Sequence, residues 1–401
     1  MSRKIQIINT RESNPTLLVE NIFIHSKYYP VKEGEKFIEL NEKFYKNKDV
    51  VMVYGLGLGY HIKKLLKRCS DSCKIYIFDA DKEVIKIADN LGVLDDIRKD
   101  KRVKIFENYS QKFLQDFVNI SQLVDDILIY KPSIKLLPHE YMSLKNVLED
   151  YNISKIAVER FSEVMSENYE YNLKLKTCTL KDFFKRVNVI GETVIIVAAG
   201  PSLDYDISTL KKLNGKVKIF SVGRALKILM ENEIKPDMIT IIDSQEVVYN
   251  QLKGYENLDI PLCFLSTTSR WAVSNYNGPK YMFYNEENKD DVIINTGKTV
   301  AVATLDIAIK GGAKEIIFVG QDLGFLDNKS HAGTINDVPE DGVYKKVLSV
   351  NGNMINTNSG YMYFKRQIEK EIEENPNVRF INCSKGARIK GTVEMDLNEL
   401  L

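Results

Sequence analysis

The chain has 401 residues, with 56 Lys and Arg against 55 Asp and Glu and a formal net charge of +1. Hydrophobic residues at 44% and charged residues at 28% fit a folded protein of two or three domains and exclude wholesale disorder. The balanced charge excludes a general nucleic-acid coat, which needs clustered, uncompensated cations, and no apolar run approaches the ~18–20 residues of a membrane span.

In chain order, residues 1–45 read as a small N-terminal module whose opening residues lack the apolar core of a signal peptide. A Val-rich strand at 49–54 follows. It leads into Gly55-Leu56-Gly57-Leu58-Gly59 and then into Ile62, Leu65 and Leu66 at helical spacing. A second strand at 74–78 ends in Asp79. Strand, glycine turn, helix, strand and acid make a βαβ unit within a Rossmann-like domain at 46–150. Residues 151–190 read as a helical linker. Further strands are expected at 193–198, 217–222, 238–242, 261–265, 280–283, 315–319 and 378–381, with helices at 224–231, 300–310 and 362–374. This alternation predicts a second α/β domain over 191–394, followed by a short tail at 395–401. The fold class is therefore α/β, two Rossmann-like domains with mostly parallel sheets. Five cysteines (Cys69, Cys73, Cys178, Cys263 and Cys383) are odd in number and scattered without zinc spacing, so a reduced, cytoplasmic protein is expected.

Four constellations could carry chemistry. The glycine turn Gly55, Gly57 and Gly59 could admit a cofactor to the backbone, with Asp79 on a ribose; the alternative is a tight turn in a domain that binds no cofactor. Ala199-Gly200-Pro201-Ser202 follows the most apolar strand, where open α/β sheets bind ligands. Asp243 ends another strand and could meet a ribose, a metal or a substrate amine, or simply cap a helix. Gly320-Gln321-Asp322 ends a third strand, and nine residues later His331 stands on a polar loop, a general base by residue type. Thr296-Gly297-Lys298-Thr299 has the ending of a P-loop without its first glycine, since position 292 is Val. A phosphate at the following helix N-terminus fits this segment better than a Walker ATPase.

Taken together and in this order, His25 through Glu33, Tyr54 through His61, Ala199-Gly-Pro-Ser-Leu-Asp204, Pro236-Asp237 through Asp243, Gly320-Gln-Asp-Leu323 and Ser330-His-Ala332 resemble the motility-associated-factor (Maf) glycosyltransferases of flagellated bacteria. The second domain is also similar to bacterial CMP-sialyltransferases, of GT-A-like fold, and to the 6-hydroxymethylpterin diphosphokinase MptE-like proteins. The resemblance implies transfer of a nonulosonic acid, pseudaminic or legionaminic in type, from its CMP-activated form to Ser or Thr of flagellin, with no metal or other cofactor. It implies His331 as base, Asp322 as its orienter or a substrate contact, and Asp243 near the ribose or sugar. Donor contacts would come from Ala199, Gly200, Pro201, Ser202, Ser221, Gly223, Arg224, Thr296, Gly297, Lys298, Thr299, Gly320 and Gln321. The diphosphokinase resemblance implies instead ATP and Mg²⁺, with Asp243 as a metal ligand. A non-catalytic flagellin-binding protein is the third reading. Flagellin and the CMP-sugar are the expected partners; nucleic acid and membrane are not.

Overall fold

The computed structural model describes residues 3–286, 292–334, 338 and 344–401, and the backbone alone over 153–160. The chain divides into two compact units, Met1–Ile153 and Ser154–Leu401.

In the first unit, β1 (Ile5–Asn9), β2 (Pro15–Val19) and β3 (Ile22–Phe23) form an antiparallel sheet. Then come β4 (Val50–Tyr54), β5 (Lys74–Phe78), β6 (Val103–Phe106) and β7 (Ile127–Ile129), all parallel, in the order β6-β5-β4-β7. Val51 to Tyr54 are all buried, as parallel strands covered on both faces must be. The helix Lys82–Asn90 shows the local logic. The Asp81 carboxylate accepts the Val84 N–H, and Val84, Ile85 and Ala88 recur at helical spacing and turn inward. The chain winds outward from β4 through β5 to β6, then returns to β7 on the other side. The crevice between the carboxyl ends of β4 and β7 is thus a switch point, where such sheets receive ligands.

The second unit repeats this plan on a larger scale. Its strands are β8 (Thr193–Val197), β9 (Lys218–Val222), β10 (Met238–Ile241), β11 (Leu262–Leu265), β12 (Lys280–Phe283) and β13 (Glu315–Val319). After them come β14 (Lys345–Leu348), β15 (Met354–Thr357), β16 (Arg379–Asn382) and β17 (Val393–Glu394). Among the described residues the main sheet has eight parallel strands in the order β12-β11-β10-β9-β8-β13-β16-β17, and β14 and β15 form a separate antiparallel hairpin. The helix Val300–Lys310 is buried from Ala301 to Ala308, which its nearly unbroken apolar sequence allows. The last residues are packed: the short helix Leu397–Leu400 seats a fully buried Leu397 in the core beside Leu210 and Leu213. The switch point of this sheet lies between β8 and β13. Among the described residues no helix is long and apolar enough to cross a membrane.

Candidate functional site

The two switch points differ in what fills them. In the first unit the glycine turn is closed by the protein's own side chains. The Leu56 N–H donates to Asp79 Oδ2 at 2.7 Å, and the Gly57 N–H approaches the same oxygen at 3.4 Å. The Leu58 N–H donates to His25 Nε2 at 3.0 Å. An amide donating to Nε2 places the His25 proton on Nδ1, which lies 2.7 Å from the Tyr130 hydroxyl and 3.5 Å from Glu33. The Tyr130 hydroxyl in turn lies 2.8 Å from the Ile24 carbonyl, and the Tyr130 ring stacks on His61 at 4.2 Å.

Glycine is needed at Gly57 for this closure. Its φ is +51°, and a Cβ would stand 2.8 Å from His25 Nε2. Burial pushes the His61 imidazole down to about 3 and the Asp79 carboxyl up to about 6. The sequence leaves Asp79 between a cofactor ribose and a tight turn that binds no cofactor. In the structure Asp79 is 1% exposed and its carboxylate accepts from the turn amides that would otherwise face a ligand. The tight-turn alternative describes what is seen.

In the second unit the switch point is an open cleft of about 150 Å³. Its floor is made by the ends of β8 and β13: Ala199 and Gly200 from one, Gly320, Gln321 and Asp322 from the other. The two turns interlock. The Gly200 N–H donates to the Gly320 carbonyl at 2.8 Å, and the Ser202 N–H donates to Asp322 Oδ2 at 2.7 Å. Burial pushes the Asp322 carboxyl up, partly offset by the backbone N–H groups of Ser202, Gly386 and Lys385. One side of the cleft is formed by the starts of two helices, Gly223–Glu231 with Arg224 and Val300–Lys310 with Thr299, whose hydroxyl accepts the Ala301 N–H. Helix N-termini favour anions, and among the described residues no acidic side chain pairs with the exposed Arg224.

His331 also lines this cleft, with its Nδ1 2.7 Å from Ser330 Oγ. Its loop is tied to the Gly-Pro-Ser turn, since the Ala332 N–H donates to the Ala199 carbonyl at 3.0 Å and the Gly333 N–H to the Asp204 carboxylate at 3.2 Å. Thus Ala199, Gly200, Arg224, Thr299, Gly320, Gln321, Asp322 and His331 meet in one place although up to 132 positions separate them in sequence.

The other expected site residues stand elsewhere. Ser202 is fully buried, and its amide rather than an exposed hydroxyl contributes, by anchoring Asp322. Pro201 is buried in the same turn. Ser221 is fully buried, and its hydroxyl donates to the Val222 carbonyl. Gly223 serves packing, because a Cβ there would stand 2.4 Å from Gln251 Oε1. Thr296 Oγ1 accepts the Lys298 N–H and Asn295 Oδ1 accepts the Gly297 N–H, so this stretch is a self-bonded turn that leads into a helix cap. Lys298 is exposed in the left-handed region, at φ +58°. Asp243 lies two positions beyond β10, outside the lining of the cleft, and its carbonyl accepts the Ser269 N–H.

Two residues of the cleft wall, Tyr361 and Phe364, escaped the sequence reading. Their i, i+3 spacing within an amphipathic helix reads equally well as core, and only the closeness of position 361 to a helix start hinted otherwise.

Residues 163–328 match the family model described as 6-hydroxymethylpterin diphosphokinase MptE-like. Among solved structures, the chain is similar to a Maf glycosyltransferase from Magnetospirillum magneticum AMB-1, with a TM-score of 0.55 and 14% identity. The similarity covers 100% of this chain and 72% of that one, so the likeness in fold extends through both units. No curated protein matches the sequence.

Proposed function

We propose that the protein is a glycosyltransferase that moves a nonulosonic acid, of the pseudaminic or legionaminic type, from its CMP-activated form to Ser or Thr of flagellin, in the cytoplasm. The observation that carries this reading is the open cleft between β8 and β13. There a guanidinium with no acidic partner among the described residues, two helix N-termini and a histidine line one cleft, in a fold shared with a glycosyltransferase.

Such a donor is already activated, because CMP is a good leaving group. The protein has to hold it, stabilise the departing phosphate and remove a proton from the acceptor hydroxyl. Arg224 and the amides at the start of Val300–Lys310 supply the positive end. The Gly200 and Gly320 turns lock against each other and shape the floor on which the donor would lie. His331 takes the proton, its ring held by the 2.7 Å contact between Nδ1 and Ser330 Oγ. Asp322 is a positioning residue, since it locks the Ser202 amide and so the shape of the floor. No step in this scheme calls on a metal.

The test is a thermal-shift screen of the full chain with CMP, ATP and ATP with Mg²⁺. CMP at a hundredfold excess over its dissociation constant should stabilise the fold by about 2.7 kcal/mol. The match of residues 163–328 favours a second reading, pyrophosphoryl transfer from ATP with Mg²⁺ to a pterin-like substrate. Stabilisation by ATP only when Mg²⁺ is present, with CMP inert, would select it.

A further inference from the structure

We infer that Tyr361, Phe364 and Gln321 form the seat of the donor's nucleobase. The inference rests on the nucleotide-sugar reading above and adds to it the part of the donor that neither a phosphate site nor a base catalyst explains. Tyr361 and Phe364 lie three residues apart in the first two turns of the helix Ser359–Glu374, so they share one helical face, and both line the cleft. Both are held before any ligand arrives. Phe364 packs against the core. The Tyr361 ring lies 5.5 Å from that of Phe325, and its N–H donates to the helix-capping Asn358 Oδ1 at 2.8 Å. Aromatic side chains fixed in this way lose little freedom when a planar ring stacks on them.

Gln321 supplies the second, independent observation. It is 7% exposed and lines the same cleft, and its Oε1 is buried without a hydrogen-bond partner among the described residues. A buried, unpaired carboxamide oxygen is costly to maintain, so it points to a donor on the ligand. A phosphate or a sugar carboxylate has no hydrogen to give it. The amino edge of a nucleobase does, as do sugar hydroxyls, and the aromatic pair in the same cleft selects the base. The anionic parts of the ligand have their own partners in Arg224 and the helix starts, which leaves the aromatic pair and the carboxamide for the base.

Calorimetry on the full chain tests this with CMP, ribose 5-phosphate (which lacks the base) and 6-hydroxymethylpterin. The proteins compared are the wild type, Tyr361→Leu, Gln321→Leu and Arg224→Ala, each checked for an unchanged circular-dichroism spectrum. Tyr361→Leu is expected to weaken CMP by about 5- to 150-fold, the usual worth of one base–aromatic stack, and to leave ribose 5-phosphate unchanged. Gln321→Leu should weaken CMP in the same selective way, whereas Arg224→Ala should weaken both ligands. If CMP binds Tyr361→Leu and Gln321→Leu as tightly as wild type while Arg224→Ala loses it, the seat is wrong and the nucleotide cleft stands. If the wild type binds the pterin and not CMP, or binds neither, the seat and the CMP reading fall together.

Discussion

Gly200 and Asp322 stand so close that a Cβ on Gly200 would lie 2.4 Å from Asp322 Oδ2, and 2.3 Å from the Gly320 carbonyl. Real side chains do not tolerate such contacts, and neither neighbour can give way freely: one is backbone and the other is fixed by the Ser202 N–H. Gly200→Ala is therefore expected to push the ends of β8 and β13 apart. The cost should be about 1–3 kcal/mol of stability, as for an overpacked core, with loss of ligand binding in the cleft. Urea unfolding and calorimetry on the same preparation check both halves. A variant as stable as wild type that binds CMP equally well would show the two turns to be looser than described.

How much of this was legible beforehand follows from where each signal lies. The runs Val194–Val197 and Ile316–Val319 are continuous apolar stretches ending in glycine-containing turns, so strand, burial and ligand edge could all be read locally. The convergence of Arg224, Thr299 and His331 on those turns is a matter of strand order, which the sequence hints at only through the alternation of elements. The hairpin β14–β15 was missed because its strands are short and half exposed, without a clean alternation. The closure of the glycine turn by His25 was missed for a different reason: a histidine 30 positions before the turn carries no local mark of what it will touch. Asp79 was legible at a strand end but its partner stayed open, because a strand-end carboxylate suits a ribose hydroxyl and a loop amide equally well.

His331→Ala should lower sugar transfer by ~10²–10⁴-fold, the range for a positioned general base. Folding and CMP binding should survive, since a half-buried loop histidine adds little to the core. Ser330→Ala removes only the group beside Nδ1 and should cost less. Mass spectrometry of flagellin co-produced with each variant, in cells that make the donor, reads the effect. Full occupancy at wild-type rate with His331→Ala would exclude it as the base.

The first unit should bind no S-adenosylmethionine or dinucleotide, because its turn amides already donate to Asp79 and His25. Calorimetric titration should give no heat beyond dilution. Asp79→Asn should destabilise the chain by about 1–3 kcal/mol through weakened bonds to buried amides, and a thermal-shift comparison of the two proteins measures this. Stoichiometric binding of either cofactor to the wild type would contradict the closed turn.

The pH dependence of stability should carry the mark of His61. Its folded value of about 3 lies below the ordinary 6.5 because burial, with His25 beside it, opposes the charged ring; Glu33 and the Gly55 carbonyl act the other way. Below pH 6.5 the unfolded chain takes up a proton that the folded chain refuses until about pH 3, so this contribution to stability falls as the pH drops through that window. Asp79 acts in the opposite sense, since its folded value is raised to about 6. The His61 contribution is isolated by comparing wild type with His61→Gln: the stability difference should shrink by about 1.5 kcal/mol between pH 6.5 and pH 5. A difference that is constant with pH would mean the ring accepts its proton in the folded state.

The most direct test of the central claim is reconstitution: purified protein, flagellin and a CMP-activated nonulosonic acid, with the mass of flagellin and the release of CMP followed together. The account predicts a mass gain of one or more sugar units, CMP released in equal number, and both slowed in parallel by Arg224→Ala and His331→Ala. Unmodified flagellin and no CMP release, together with Mg²⁺-dependent conversion of ATP to AMP in the presence of 6-hydroxymethylpterin, would contradict it.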